Sequence, residues 1–170
     1  DIKEIFIPST VKNIGTDILY ACNNVEKLTM PYLFERISNV FGDGINNMNG
    51  GKLSEVILLE SDRTEIAEYA FSGMLSIQKF TLPNNITYMG TKSFYGTGIN
   101  SFIMPNSVNE LGECVFMLSS IEKITLSENI KSLPGSGDEP NEGFFSFSGL
   151  ESIILPKNIE SLGPACFAYC

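Results

Sequence analysis

Hydrophobic residues recur along this chain in a seven-residue pattern, L-x-x-I-x-L-P, which begins at residues 2, 25, 53, 77, 99, 121 and 150. Successive starts are separated by 23, 28, 24, 22, 22 and 29 residues, so the chain consists of about seven copies of one unit. The fourth and sixth positions are large and apolar in every copy and alternate with the third and fifth, which predicts a short strand with one buried side. A unit of this length cannot bury that side alone, so we expect the units to stack into a solenoid.

The fourth-position residues are predicted to form one buried row along the stack. This row comprises Ile5, Leu28, Val56, Phe80, Phe102, Ile124 and Ile153. A proline follows the strand in most copies and is expected to end the strand pairing, because it has no N–H to donate.

A second block, I-G-x-x-A-F, follows the strand in most copies, for example as Met89-Gly90 and then Ser93-Phe94. Its glycine suits a bend or a close approach of the backbone. Its last column predicts an aromatic ladder inside the solenoid, with Leu19 as the smaller member of a series that includes Phe71, Phe94, Phe116, Phe145 and Phe167. Repeat 2 lacks the block and carries a long loop at 32–52, and repeat 6 carries a long loop at 134–143.

These two blocks together resemble the BspA-type (Treponema-type) leucine-rich repeat family of bacterial surface proteins. The resemblance covers essentially all 170 residues, and residues 99–119 match the family pattern almost column for column. It implies a right-handed leucine-rich repeat solenoid of the strand-rich α/β horseshoe class, with one parallel sheet on the concave face. It also implies surface location, adhesion or host-protein binding, and no catalytic, cofactor-binding or metal-binding residues. We expect one domain over residues 1–170 that is a fragment of a longer array.

The net charge of −9 argues against nucleic acid as a partner, because a phosphate backbone would be repelled. The chain has no histidine, the commonest general base and metal ligand, and no apolar run of 18 residues that would insert into a membrane. Acidic residues gather at 60–68 and at Asp138, Glu139 and Glu142, but their spacing matches no calcium loop. The four cysteines match no zinc motif and are expected to be thiols, most of them buried.

Two columns of each strand face away from the buried row. The third-position column alternates in charge at first and is predicted to be a self-neutralising ladder: Glu4, Lys27, Glu55, Lys79, Ser101, Lys123 and Ser152. The fifth-position column contains only β-formers, several of them apolar: Phe6, Thr29, Ile57, Thr81, Ile103, Thr125 and Ile154. Either these side chains pack against each other, or they form a concave stripe that meets a partner.

The preferred functional hypothesis is a non-enzymatic adhesion or protein-binding module, extracellular or on a bacterial cell surface. It would engage a host matrix protein, a host surface protein or a neighbouring protein through the concave sheet or the long loop at 32–52. The alternative is a structural spacer without a ligand of its own. A polysaccharide hydrolase would need clustered carboxylates, whereas the concave acids are interleaved with lysines. The sequence does not indicate an oligomeric state.

Overall fold

The computed structural model describes residues 2–42, 51–136 and 141–170. The strands that arise from the seven-residue pattern are β1 (Glu4–Phe6), β2 (Lys27–Pro31), β3 (Glu55–Leu59), β5 (Lys79–Thr81), β7 (Ser101–Ile103) and β9 (Lys123–Thr125). The second block supplies β4 (Glu65–Ile66), β6 (Tyr88–Met89), β8 (Glu110–Leu111), β10 (Ser132–Leu133) and β11 (Ser161–Leu162). One helical turn, α1 (Ser38–Phe41), lies in repeat 2.

Strands of the seven-residue pattern pair in parallel, in repeat order and in the predicted register. In the sheet β1-β2-β3-β5, Lys27 aligns with Glu4 on one side and with Glu55 on the other. Strands β7 and β9 form a separate ladder, and one bridge between Lys123 and Ser152 joins repeat 7 to it. The predicted solenoid of stacked strands is therefore confirmed, but its concave sheet is divided between β5 and β7.

Two aromatic side chains lie next to each other on the buried side of β5 and β7. Phe80 and Phe102 are the one pair of successive aromatic residues in the fourth-position row. Their ring centroids lie 6.5 Å apart, whereas hydrogen-bonded strands lie about 4.8 Å apart. The division between β5 and β7 therefore coincides with two large rings side by side in the buried row, whereas the single bridge between β9 and repeat 7 has Ile124 and Ile153 in that row.

The fourth-position row is buried as predicted, most completely in the middle of the stack. Leu28 and Val56 are fully buried and Phe102 is nearly so, while Ile5 and Ile153 at the two ends are partly buried against the same core. Repeats 1 and 7 each contact a described repeat on one side only, which explains the greater exposure of Ile5 and Ile153. Ile124 of repeat 6 is partly buried as well.

The second block forms ladders of its own, which the sequence reasoning did not predict. One sheet has the order β4-β6-β8, and β10 pairs with β11. Behind these ladders the predicted aromatic column is confirmed, because Phe94 stacks on Phe71 and Phe116 with ring centroids 5.3 and 5.5 Å away. Phe145 continues the column to Phe167 at 5.8 Å.

Glycine in the second block permits close contact between successive repeats. A β-carbon on Gly90 would lie 2.7 Å from the carbonyl oxygen of Ile66, and one on Gly112 would overlap the backbone of Thr91. The same addition at Gly15, in repeat 1, would meet no atom closer than 4.0 Å. At Gly90 and Gly112 the backbone of the preceding repeat therefore leaves no room for a β-carbon.

Repeat 2 was predicted to lack the second block, but α1 and the residues before it take the place of that block. The amide of Ile37 donates to the carbonyl of Ala70 in repeat 3 (2.9 Å), and the carbonyl of Val40 accepts from the amide of Leu19 in repeat 1 (2.8 Å). A helical turn thus bridges its two neighbours as a regular unit would. The long loop predicted at 32–52 thus contains one helical turn, Ser38–Phe41, and its residues Tyr32, Phe34 and Val40 are buried in the core.

Tyr32 supplies a hydrogen bond that this irregular repeat would otherwise leave unmade. In regular repeats the second-block amide donates to the preceding repeat, as Gly112 does to Met89 (2.7 Å). Repeat 3 has Ala67 at this position, and its amide donates instead to the hydroxyl of Tyr32 (2.9 Å). Burial raises the pKa of this hydroxyl, so it remains a neutral acceptor.

The loop of repeat 6 is anchored to the stack where it is described. The amide of Ser136 donates to the carbonyl of Glu142 (2.8 Å), and the Glu142 carboxylate pairs with Lys92 of repeat 4 (3.0 Å). This hydrogen-bonded pair raises the pKa of Lys92. Across the described ranges, no helix is both long and apolar enough to cross a bilayer.

Candidate functional site

The predicted concave stripe consists of the fifth-position side chains of the seven repeats. Strand pairing aligns these side chains in two stretches. Phe6, Thr29, Ile57 and Thr81 are aligned across the four-stranded sheet. Ile103 and Thr125 are aligned across β7 and β9. Ile154 follows Ser152, which is bridged to β9, so the row continues into repeat 7.

Side chains of the concave stripe differ in exposure. Phe6, Ile103 and Ile154 are 69%, 72% and 89% exposed, whereas Thr29 is only 8% exposed. Thr81 and Thr125 are exposed, and Ile57 is half-buried. Large apolar residues occupy repeats 1, 3, 5 and 7, with threonine between them, so the concave stripe has a period of two repeats.

Charges beside the concave stripe differ between its two ends. Toward the N-terminus, Lys27 pairs with Glu55 at 3.3 Å, and one position earlier Lys3 pairs with Glu26 at 3.2 Å. Toward the C-terminus, Lys79 and Lys123 are exposed, and neither has a carboxylate within 4 Å among the described residues. In the third-position column of the described residues, the predicted self-neutralising ladder is therefore found only as the Lys27–Glu55 pair of repeats 2 and 3.

Two grooves lie on the concave face where the strands are not continuously paired. The first, about 540 Å³, runs between β5 and β7 and is lined by the third- and fifth-position residues of both strands, together with Glu55 and Asn84. The second, about 340 Å³, lies between β9 and residues 152–156 and is lined in part by Ile154, Lys123 and Glu128. Volumes of this size are in the range of ligand-binding clefts.

The division between β5 and β7 also exposes backbone groups. At the four steps where these strands are paired, the amide of the third-position residue donates to the preceding repeat, as Lys123 does to Asn100 (3.2 Å) and Lys79 to Ser54 (3.0 Å). The corresponding bond from Ser101 to Gln78 is absent between these two described strands. Sequence reasoning missed both grooves. The consecutive aromatic residues Phe80 and Phe102 were the signal that could have revealed the larger one.

The long loop was the second predicted contact element, and its described part lies in the core. Tyr32, Phe34 and Val40 are buried, and Phe34 packs edge-on against Phe71 at 5.8 Å. Residues 43–50 lie outside the described residues.

The remaining chemically active groups are dispersed. In the described part of the chain, no three acidic or cysteine residues are grouped as metal ligands would be, and Asp138 and Glu139 lie outside it. All four cysteines are free thiols; Cys114 and Cys166 are buried, Cys22 is partly buried and Cys170 is exposed. Burial raises the pKa of Cys166 to about 12, which keeps it protonated and unreactive near neutral pH.

Comparisons with known proteins agree with this architecture. A family model described as the BspA type leucine rich repeat region matches residues 1–55 and 46–170 in six copies, one fewer than the pattern count. A leucine-rich repeat protein from Bacteroides ovatus superposes with a TM-score of 0.67 at 22% identity, over 98% of this chain and 43% of its own. The leucine-rich repeat protein of T. pallidum gives 0.60 at 20% identity, over 94% of this chain and 68% of its own.

This chain spans less than half the length of the B. ovatus protein, and at these identities the likeness concerns the fold alone. No curated protein matches the chain.

Proposed function

The chain belongs to the BspA-type leucine-rich repeat family, and from that premise we propose that it is a non-catalytic binding module of a bacterial cell-surface or secreted protein. Its concave stripe holds a partner protein, of the host or of the same surface. Adhesion to host matrix or surface proteins is the biological setting that this role suits best.

One observation carries the proposal, namely the exposure of large apolar side chains on a regular sheet. Ile103 and Ile154 are 72% and 89% exposed, the two highest values among the exposed large hydrophobic side chains of the described residues. Exposed apolar rows on a rigid scaffold are typical of interaction sites. The lysines beside them supply a polar border of the kind found around protein interfaces.

A capture experiment with matched variants tests this function. The protein is immobilised and incubated with host matrix and serum proteins, and the bound proteins are identified by mass spectrometry. Ile103→Ser removes an apolar side chain from the concave stripe, and Leu75→Ser removes one that is 50% exposed elsewhere on the surface. We expect Ile103→Ser to lose the captured protein and Leu75→Ser to keep it.

Equal capture by the two variants would count against the concave face. Absence of any captured protein with the unmodified chain would favour the alternative role of a structural spacer.

A further inference from the structure

We propose that repeats 4–6 of the concave face bind an extended acidic segment of a partner protein, whose carboxylates pair with Lys79 and Lys123 and whose apolar side chain packs on Ile103. This inference rests on the proposed function and adds to it the chemistry of the partner.

The charges of the concave face favour an acidic partner. The chain carries a net charge of −9, yet the third-position column of repeats 4–7 contains two lysines, two serines and no acid. Lys27, in the same column, already has Glu55 as a partner, whereas no described ion pair engages Lys79 or Lys123. Glu122 and Glu151 occupy the position before this column and form no described ion pair with either lysine. Carboxylates from a partner would give these two lysines the kind of pairing that Lys27 has with Glu55 within the chain.

The groove between β5 and β7 offers space and backbone hydrogen-bonding groups to a polypeptide. It lies between the lysine-bearing strand β5 and strand β7, one strand away from Lys123, and has a volume of about 540 Å³. Its lining includes Lys79, Thr81, Ser101 and Ile103, together with Glu55. The amide of Ser101 and the carbonyl of Gln78 border this gap without a backbone partner between the two strands. A polypeptide backbone offers donors and acceptors for both groups, which a purely apolar ligand would not.

The separation of Lys79 and Lys123 indicates the conformation of the bound segment. Lys79 and Lys123 are two strand steps apart, which is at least about 10 Å, with Ile103 at the step between them. A chain in the polyproline II conformation returns to the same face every three residues, about 9.3 Å, whereas a β-strand does so every two residues, about 6.8 Å. The flexible lysine side chains can adjust to the small difference between this repeat distance and the separation of the two strands. The surface therefore fits a segment with an acidic residue at every third position and apolar residues between.

Direct binding of a designed probe tests the proposal. The probe is a fluorescent peptide of repeated Glu–Leu–Pro triplets, measured by anisotropy against the complete chain. A permuted peptide of the same composition, with its glutamates consecutive, is the matched control. We expect the triplet peptide to bind more tightly, and its affinity to fall as salt is raised, because the contacts are between exposed charges.

Two variants locate the site, and a third controls for net charge. Lys79→Ala and Lys123→Ala should each weaken binding of the triplet peptide about two- to fivefold, the effect of losing one exposed ion pair. Lys131→Ala removes the same charge from a lysine that pairs with Glu160 beside β10, away from the concave stripe, and should leave affinity unchanged. Equal effects of all three substitutions, or equal binding of the two peptides, would overturn the proposal.

Failure of this inference is distinguishable from failure of the proposed function. If a captured protein is lost with Ile103→Ser but kept with Lys79→Ala and Lys123→Ala, the binding module stands and the acidic partner is refuted. If the triplet peptide displaces the captured protein and both lysine variants reduce capture, both are supported.

Discussion

The two ends of the concave face are built from the same repeat and present different surfaces. In repeats 1–4 the sheet β1-β2-β3-β5 is continuous, and Lys27 is neutralised by Glu55. Beyond β5 the strands are divided by two grooves, one before β7 and one after β9. From repeat 4 to repeat 7, the exposed lysines Lys79 and Lys123 alternate with the exposed isoleucines Ile103 and Ile154. The repeating pattern therefore specifies the stack of strands. The side chains of the third and fifth positions determine whether the charges of a given repeat are paired within the chain or exposed.

Removal of a ring from the buried aromatic column should have the largest effect on stability. Phe94, in repeat 4, is fully buried and stacks between Phe71 of repeat 3 and Phe116 of repeat 5. Phe94→Ala should lower the free energy of unfolding by about 3–5 kcal/mol, because it leaves a cavity in a packed column. Phe6→Ala, at a side chain that is 69% exposed, should cost less than about 0.5 kcal/mol. Chemical denaturation measures both, and similar costs would refute the assignment of buried and exposed columns.

A methyl group in the glycine column should cost less, and only where a preceding repeat is in contact. Gly112→Ala should destabilise the chain by about 2–3 kcal/mol, because the added carbon overlaps the backbone of Thr91. Gly15→Ala is the matched control, since its added carbon meets nothing closer than 4.0 Å. Thermal melts of the two variants should separate clearly. A Gly15 variant that is destabilised as much as the Gly112 variant would contradict close packing as the cause.

Loss of the Tyr32 hydroxyl tests how repeat 2 is integrated into the N-terminal part of the stack. Tyr32→Phe keeps the ring and leaves the amide of Ala67 without its acceptor, so we expect a loss of about 1–2 kcal/mol. Hydrogen exchange should show faster exchange at the Ala67 amide than in the unmodified chain. Unchanged exchange at that amide would mean that another group accepts the bond.

The smallest expected effect concerns the charge ladder that distinguishes the two ends. Glu55→Lys removes the pair with Lys27 and places three lysines in successive strands, Lys27, position 55 and Lys79. The pair is partly exposed, so the cost should be about 0.5–1 kcal/mol and should shrink as salt is raised. A melting temperature equal to that of the unmodified chain at low salt would argue against lateral pairing in this register.

Much of the architecture could be read from the sequence because it depends on period. Leu28, Val56 and Phe102 recur at the same place in each unit, and a short strand with a two-residue alternation has one buried side wherever it is stacked. The concave stripe could be predicted as a row for the same reason. Its role as a binding surface remains a proposal, because apolar β-formers such as Ile103 satisfy sheet propensity with or without a partner.

Departures from the repeat could not be read in this way. The segment at 32–42 lacks the second block in sequence, yet α1 and the Tyr32 hydroxyl satisfy the same neighbours through different atoms. The second-block ladders were missed because two-residue strands such as β6 and β8 leave no periodic trace of their own.

By itself, the sequence determined the repeating unit, the side of each strand that is buried, the aromatic column and the absence of histidine chemistry, because these follow from residue type and spacing along the chain. Only the tertiary structure decided where the concave sheet is divided, which lysines have partners and how repeat 2 is completed. These properties depend on distances between side chains in different repeats, such as the 6.5 Å between the rings of Phe80 and Phe102, and no pattern within one repeat contains that distance.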